Sequence, residues 1–246
     1  MGWVYLYVME IKNRVIVVTG ASAGIGEATA RLLFQKGARL VLAARSVDKL
    51  RKIADTLPGS LVIPADVTDH RAIKKLITTA EKHFGRIDIL INNAGIGYDA
   101  SVEKTDPEKL RQVFEVNVLA PLVAMQTVIP IMRRQGSGLI INVSSGTSLM
   151  YLPYMSGYSG LKRTLNAISL TAAKELEKDH IKVSVIYPYM TATDFAKNTL
   201  TEHERIWDPA ASGRSIRPPD PPELVAAKIA ELVNSEAPEM SVHDWM

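Results

Sequence analysis

Two side chains in this sequence are spaced to share a proton: Tyr158 and Lys162, in the run Tyr158-Ser159-Gly160-Leu161-Lys162. On a helix that spacing places them about one turn apart on one face. A free phenol ionises near pH ~10, and each unit of downward shift requires about 1.4 kcal/mol, so three units require about 4 kcal/mol. One ammonium ~5 Å away, at an effective dielectric of ~20, supplies about 3 kcal/mol. The lysine nearly suffices, and a second positive charge beside the phenol would complete the shift. Many helices carry Tyr and Lys at this spacing with no coupling between them, so the meaning of the pair rests on the elements that position it.

Residues 14–19 form a short β-branched apolar run, the pattern of a strand buried on both faces of a parallel sheet. The run ends in Thr19-Gly20-Ala21-Ser22-Ala23-Gly24-Ile25-Gly26, and a helical pattern follows over 27–36. A strand, a glycine-rich turn and a helix bring backbone N–H groups at a helix start against a pyrophosphate. The glycine spacing differs from the G-x-G-x-x-G dinucleotide fingerprint. The same residues also match the G-x-S-x-G nucleophile elbow, which would make Ser22 the nucleophile of a serine hydrolase. That elbow normally follows several strands, and no local signal marks a partner among His70, His83, His180, His203 and His243. The hydrolase is therefore the weaker reading.

The next strand, over 39–44, ends in Ala43-Ala44-Arg45-Ser46, about 20 residues beyond the turn. A carboxylate at this tip would bind the ribose 2′-hydroxyl of NAD, whereas an arginine accommodates the 2′-phosphate of NADP. Arg45 can grip a phosphate with two parallel hydrogen bonds and Ser46 can add another, which favours NADP. A helix over 47–57 and a strand over 61–64 precede Asp66-Val67. A helix over 70–83 and a strand over 87–91 then lead to Asn92-Asn93-Ala94-Gly95. Alternating strands and helices predict a parallel sheet covered on both faces, with ligands beyond the C-terminal ends of the strands.

Asp106-Pro107 starts a helical region that carries Asn117 and is expected to break near Pro121 and Pro130. A fifth strand over 138–143 ends in Ser144-Ser145, and the helix bearing Tyr158 and Lys162 runs on toward Lys178.

Composition narrows the function classes. The chain has 246 residues, a formal net charge of +3 and 47% hydrophobic residues, enough for a substantial core. Its Lys and Arg residues are dispersed, which argues against a nucleic-acid partner. Cysteine is absent, so disulfides, thiolate chemistry and Cys-ligated metals are excluded, and no metal is expected. The default location is cytoplasmic. The apolar start within the extension 1–12 is shorter than the ~20 residues that span a bilayer and lacks the charged lead of a signal peptide. Met9 offers an alternative start.

On these motifs the chain resembles the short-chain dehydrogenase/reductase family, from about Asn13 to near Leu232. The resemblance implies one Rossmann-type α/β domain over 13–246, a doubly wound parallel sheet of about seven strands in the order 3-2-1-4-5-6-7. It also implies a substrate lid over 194–222.

For the cofactor, NADP(H), the resemblance marks Gly20, Ser22, Gly24, Ile25 and Gly26 in the turn, with Arg45, Ser46, Asp66 and Val67 on the adenosine side. Asn93, Ala94 and Gly95 line it, and Pro188, Thr191 and Thr193 lie by the carboxamide. Asn117, Ser145, Tyr158 and Lys162 fall on the family's catalytic positions. Tyr158 would be the general acid or base, and Ser145, chosen over Ser144 by its spacing to the tyrosine, would polarise the carbonyl. Lys162 would lower the tyrosine's pKa and hold the nicotinamide ribose, and Asn117 would hold a relay water. The oxidised nicotinamide would supply the second positive charge.

One departure stands out. Tyr189 follows Pro188 where the family usually has glycine, and its side chain is expected to narrow the pocket. The implied substrate is a small-molecule carbonyl or alcohol, with Met150, Tyr151, Leu152, Tyr154 and Trp207 pointing to an apolar one. The implied assembly is a homodimer or homotetramer. Two alternatives accompany this reading: a 3-oxoacyl thioester reductase whose Arg133-Arg134 docks an acidic carrier, and a non-catalytic NADP-binding regulatory protein.

Overall fold

The computed structural model describes residues 10–202 and 217–243. The short runs rich in Val, Ile and Leu become strands because such side chains pack well on a sheet covered from both sides. In chain order the strands are β1 Val15–Thr19, β2 Arg39–Ala44, β3 Leu61–Pro64, β4 Ile89–Asn92, β5 Tyr98–Asp99, β6 Gly138–Val143, β7 Ile181–Tyr187, β8 Leu200–Thr201 and β9 Glu239–Ser241. Seven of them form one parallel sheet in the order β3-β2-β1-β4-β6-β7-β9, while β5 and β8 pair with each other outside it. With that side pair set aside, the order is the 3-2-1-4-5-6-7 expected above.

The helices are α1 Gly24–Gln35, α2 Val47–Ala54, α3 His70–Phe84, α4 Pro107–Phe114, α5 Ala120–Gln135, α6 Ser156–Glu175 and α7 Pro222–Ser235. Side chains alternate across each strand, so Ile16 and Val18 of β1 face one apolar cluster and Val17 faces the other. The first cluster includes Leu33 of α1, Leu50 of α2 and Ile229 of α7. The second includes Leu76 of α3 and Val128 of α5. The sheet is thus wound on both faces, as a Rossmann-type fold requires.

Two local expectations change. First, α1 begins at Gly24, so the last glycines of the turn form the helix's own first turn. Low helix propensity placed the start later, but tertiary contacts override it here. Second, the helical region runs unbroken from Pro107 to Gln135. Pro121 lies in the first turn of α5 and Pro130 lies inside it, where buried Val128, Ile131 and Met132 hold the helix together by packing.

The irregularity falls earlier, in a π-helical turn over Glu115–Leu119, where the Ala120 N–H bonds the Glu115 carbonyl. Pro121 has no N–H to offer the carbonyl of Asn117, so the α-helical ladder cannot continue at that point. This 29-residue helix is apolar and long enough to cross a membrane, but its α5 part packs on the sheet and α3. The apolar start of the chain, including Met9, lies outside the described residues.

Candidate functional site

The C-terminal edge of the sheet gathers the predicted residues into two regions. In the first, β1 hands over to α1 through the glycine turn. A Cβ on Gly26 would lie 2.2 Å from the Gly20 carbonyl oxygen and 2.6 Å from Asn93 Nδ2. Gly24 has a φ of +56°, and a Cβ there would meet Thr193 Cγ2 at 2.9 Å.

Asn93 ties the ends of β1 and β4 together. Its Nδ2 donates to the Thr19 carbonyl at 3.0 Å, and the N–H groups of Asn93 and Ala94 donate to Thr19 Oγ1 at 3.0 and 3.1 Å. No side chain caps α1, because the residue ahead of Gly24 is Ala23. The first-turn N–H groups, those of Gly24, Ile25 and Gly26 among them, therefore form an uncapped helix start of the kind that binds anions.

At the neighbouring strand ends, Ser46 precedes α2 without capping it. Asp66 accepts from the Thr68 N–H at 2.9 Å and from Thr68 Oγ1 at 2.8 Å. The backbone bond from Thr68 leads in holding the Asp66 carboxyl below the usual range, and Arg45 adds a smaller electrostatic pull. Val67 lies near Thr19 and Ala94, around a small void. An open cavity of about 810 Å³ lies beside the turn, lined by Ser22, Gly24, Lys49, Thr193 and Asp194 among others.

The second region is built on α6. Tyr158 and Lys162 are buried, at 6% and 4% exposure. The lysine Nζ donates to the Val143 carbonyl at 2.9 Å and lies 5.9 Å from the centre of the Tyr158 ring. Ser145 Oγ shares a hydrogen bond with Thr147 Oγ1 at 3.0 Å and accepts from the Thr147 N–H at 3.2 Å, close enough to Tyr158 to act on its phenol. Ser144 points elsewhere, donating to Asn166 Oδ1 at 2.5 Å. Asn166 Nδ2 donates in turn to Ser148 Oγ at 2.9 Å, and Ser148 Oγ donates to the Ser145 carbonyl at 2.6 Å. A directed chain of hydrogen bonds therefore ties the Ser145 turn to the helix that carries the tyrosine and lysine.

Asn117 spends its amide on Ile96: Nδ2 donates to the Ile96 carbonyl at 2.7 Å, and Oδ1 accepts from the Ile96 N–H at 3.1 Å. A Cβ on Gly95 would lie 3.0 Å from Asn117 Oδ1 and 3.7 Å from Lys162 Nζ, so Gly95 marks where these two residues approach.

Burial dominates the charge states of both groups. Burial pushes the Tyr158 phenol above its ordinary range; the Ser145 hydrogen bond pulls it down, and nearby Asp99 pushes it up. Burial lowers Lys162 to about 8. Stripping water from both groups outweighs their attraction, so the phenol is held protonated.

The loop after β7 joins the two regions. The Pro188 carbonyl accepts from the Gly146 N–H at 2.8 Å, beside Ser145. Thr191 lies in a short parallel bridge with Asp220, and Thr193 packs on Gly24. The Tyr189 ring sits 5.9 Å from the ring of His243, with its hydroxyl toward the Arg217 carbonyl at 3.4 Å. The ring is drawn toward the C-terminal segment.

Phe195, which the motifs did not single out, lies 5.9 Å from the Tyr158 ring. Asn166 was also missed, although its position four residues beyond Lys162 on the same helical face was a readable signal. Leu149, Tyr151, Tyr154, Met190 and Phe195 are exposed around these loops. Trp207 and much of the expected lid, 203–216, lie outside the described residues. No described histidine bonds Ser22; His70 faces Glu115 and His243 faces Asp220, which leaves the elbow without a partner among the described residues.

Residues 14–204 match the short chain dehydrogenase family. The chain is 38% identical over 198 residues to an uncharacterized oxidoreductase of Staphylococcus saprophyticus, covering 79% of this chain and 78% of the relative. Among solved structures it is similar to an alcohol dehydrogenase from the archaeon Thermococcus sibiricus complexed with 5-hydroxy-NADP, with a TM-score of 0.80 and 27% identity over 94% of this chain and 96% of that one. It is also similar to a 3-ketoacyl-(acyl-carrier-protein) reductase from Brucella melitensis complexed with NADH, with a TM-score of 0.83 and 25% identity over 94% of this chain and 97% of that one.

Proposed function

The chain belongs to the short chain dehydrogenase family, and from that premise we propose that it is an NADP(H)-dependent oxidoreductase interconverting a carbonyl and a secondary alcohol. The observation that carries this reading is the buried Tyr158, close to Ser145 and on one helical face with Lys162, at the same sheet edge as an uncapped glycine turn.

The residues present fit such a cofactor. The Gly20–Gly26 turn and the start of α1 offer N–H donors to a pyrophosphate. Arg45 and Ser46 suit a 2′-phosphate, Asp66 and Val67 the adenine side, and Asn93, Ala94 and Gly95 the wall of the groove. The backbone around Pro188, Thr191 and Thr193 would meet the carboxamide. When bound, the cofactor supplies or accepts the hydride.

The protein manages the proton. Tyr158, held protonated by burial, donates to the carbonyl oxygen as reduction proceeds. Ser145 hydrogen-bonds the same oxygen and stabilises the charge developing there. Lys162 holds ribose hydroxyls and, when charged, favours the phenolate that Tyr158 becomes. The carbonyl of Asn117, to which Pro121 has no N–H to offer, suits a water that returns a proton through Lys162.

The exposed apolar rim of Leu149, Tyr151, Tyr154, Met190 and Phe195 supports an apolar ketone or aldehyde. The carrier-docking alternative finds less support, because Arg133 pairs with Asp179 and Arg134 with Glu81. The test is calorimetric titration with NADPH and NADH, followed by a screen of ketones, aldehydes and 3-oxoacyl thioesters with the tighter cofactor. NADPH is expected to bind about tenfold more tightly, the worth of a charge-assisted phosphate contact. Equal or tighter NADH binding would reject the role of Arg45, and binding without turnover of any carbonyl would favour a regulatory protein.

A further inference from the structure

Three segments far apart in sequence meet beside the loop after β7, and we infer that His243 is a positioning residue for the nicotinamide end of the site, acting through Asp220 on backbone 190–192. The chain leaves β9 with the Val242 N–H on the Tyr187 carbonyl at 3.3 Å, which brings His243 against that loop. The Asp220 carboxyl is buried at 4% exposure, and its Oδ2 lies 2.6 Å from His243 Nε2. On the other side of the ring, Arg217 Nη1 lies 3.0 Å from Nδ1. A guanidinium can only donate, so Nδ1 must carry the lone pair and the ring proton sits on Nε2, directed at Asp220. The imidazole is thus polarised between a cation and an anion, and the bond to the carboxylate is charge-assisted.

Asp220 links that side-chain bond to the loop. Its N–H donates to the Met190 carbonyl at 2.8 Å, and its carbonyl accepts from the Ala192 N–H at 2.8 Å. These two bonds bracket Thr191, so the residue gripped by His243 is the one that sets the path of the backbone there. The edge of the Tyr189 ring packs on the same imidazole. A glycine at 189 would have no ring to support His243, which gives the departure at this position a physical role.

The inference rests on the proposed function for the identity of the ligand. Removing the imidazole takes the partner from a buried carboxylate and lowers the fraction of molecules whose loop is set for binding, so apparent affinity falls by that fraction.

The experiment compares the wild-type chain, His243→Ala and His243→Gln by calorimetry with two ligands: NADPH, and 2′,5′-ADP, which has the phosphorylated adenosine but no nicotinamide. His243→Ala is expected to weaken NADPH about tenfold, the scale of one hydrogen bond to a charged group, while 2′,5′-ADP binds as before. His243→Gln, which keeps an N–H donor at similar reach, is expected to restore most of the loss, and the KM for NADPH should follow the same order. Unchanged NADPH affinity in His243→Ala, or an equal loss for both ligands, would overturn the inference. A wild-type chain that binds neither would instead overturn the proposed function.

Discussion

The two ends of the site are built on different physics. The glycine turn depends on shape: Gly26 sits against the Gly20 carbonyl and Asn93 with no room for a methyl, and its donors are backbone N–H groups at an uncapped helix start. The α6 end depends on proton placement, with Tyr158 and Lys162 both stripped of water and both shifted toward their neutral forms. A turn of this kind should be intolerant of added volume and indifferent to pH over the ordinary range. A buried pair should tolerate an isosteric change in packing yet lose function with a single proton.

The sharpest way to break that contrast is Tyr158→Phe. The substitution keeps the ring that packs near Phe195 and removes only the hydroxyl beside Ser145. Turnover in carbonyl reduction is expected to fall about 1,000-fold, within the range of lost general-acid catalysis, while NADPH affinity stays within about twofold. Steady-state kinetics with parallel titration measures both. Turnover within tenfold of wild type would mean that the α6 end is not where the proton is handled.

Gly26→Ala tests the other end. A methyl 2.2 Å from a carbonyl oxygen forces the turn apart, so the expected loss is about 3 kcal/mol of stability together with NADPH binding. Denaturant unfolding checks the first and titration the second. A variant that folds and binds normally would show that the turn is looser than its geometry indicates. The two substitutions should therefore fail differently, one in turnover alone and the other in stability and binding together.

The same contrast explains what could be read in the sequence. The β-branched runs announced the strands of a sheet covered on both faces, and the glycine cluster and Asn93 announced the turn, because those features are local and steric. Tyr158 and Lys162 were found by type and spacing and Ser145 through the family resemblance, and the structure brings them together. Their charge states were not legible, since the direction of each shift depends on burial contributed by the whole fold. Pro121 misled because a proline in a helix's first turn is compatible with the helix; its missing N–H shows up in the π turn around Asn117. The direction of Tyr189 was hidden because its partner, His243, comes from the far end of the chain.

A smaller effect is expected from cutting the chain of hydrogen bonds behind Ser145. Asn166 accepts from Ser144 and donates to Ser148, which holds the Ser145 carbonyl. Asn166→Ala should leave both serines short of a partner and lower kcat about tenfold, the scale of one or two lost hydrogen bonds, with the KM for NADPH little changed. Equal losses in kcat and cofactor affinity would place Asn166 in general scaffolding instead of in the alignment of Ser145.

The least conspicuous difference between the two ends lies in how stability follows pH. Burial lowers Lys162 to about 8 in the folded protein, from the ordinary lysine value of 10.5. Between these values the unfolded chain holds the proton that the folded chain has released, so this group makes the folded state more stable as pH rises through that window. Tyr158 acts oppositely: its folded value is raised above 10.0, so the folded state retains a proton that the unfolded chain loses there, and stability falls above about pH 10. The lysine's contribution is therefore cleanest between about pH 8 and 10. In Lys162→Met, which keeps an unbranched side chain in the same space, that rise should disappear while stability near pH 7 stays equal or improves, because the cost of a buried ammonium is gone. Thermal unfolding of the two proteins at matched ionic strength should show a wild-type Tm gaining about 6 °C relative to the variant across the window, corresponding to about 2 kcal/mol. Parallel Tm curves would mean that water reaches Lys162 in the folded protein, and the physical distinction between the α6 end and the glycine turn would then fail.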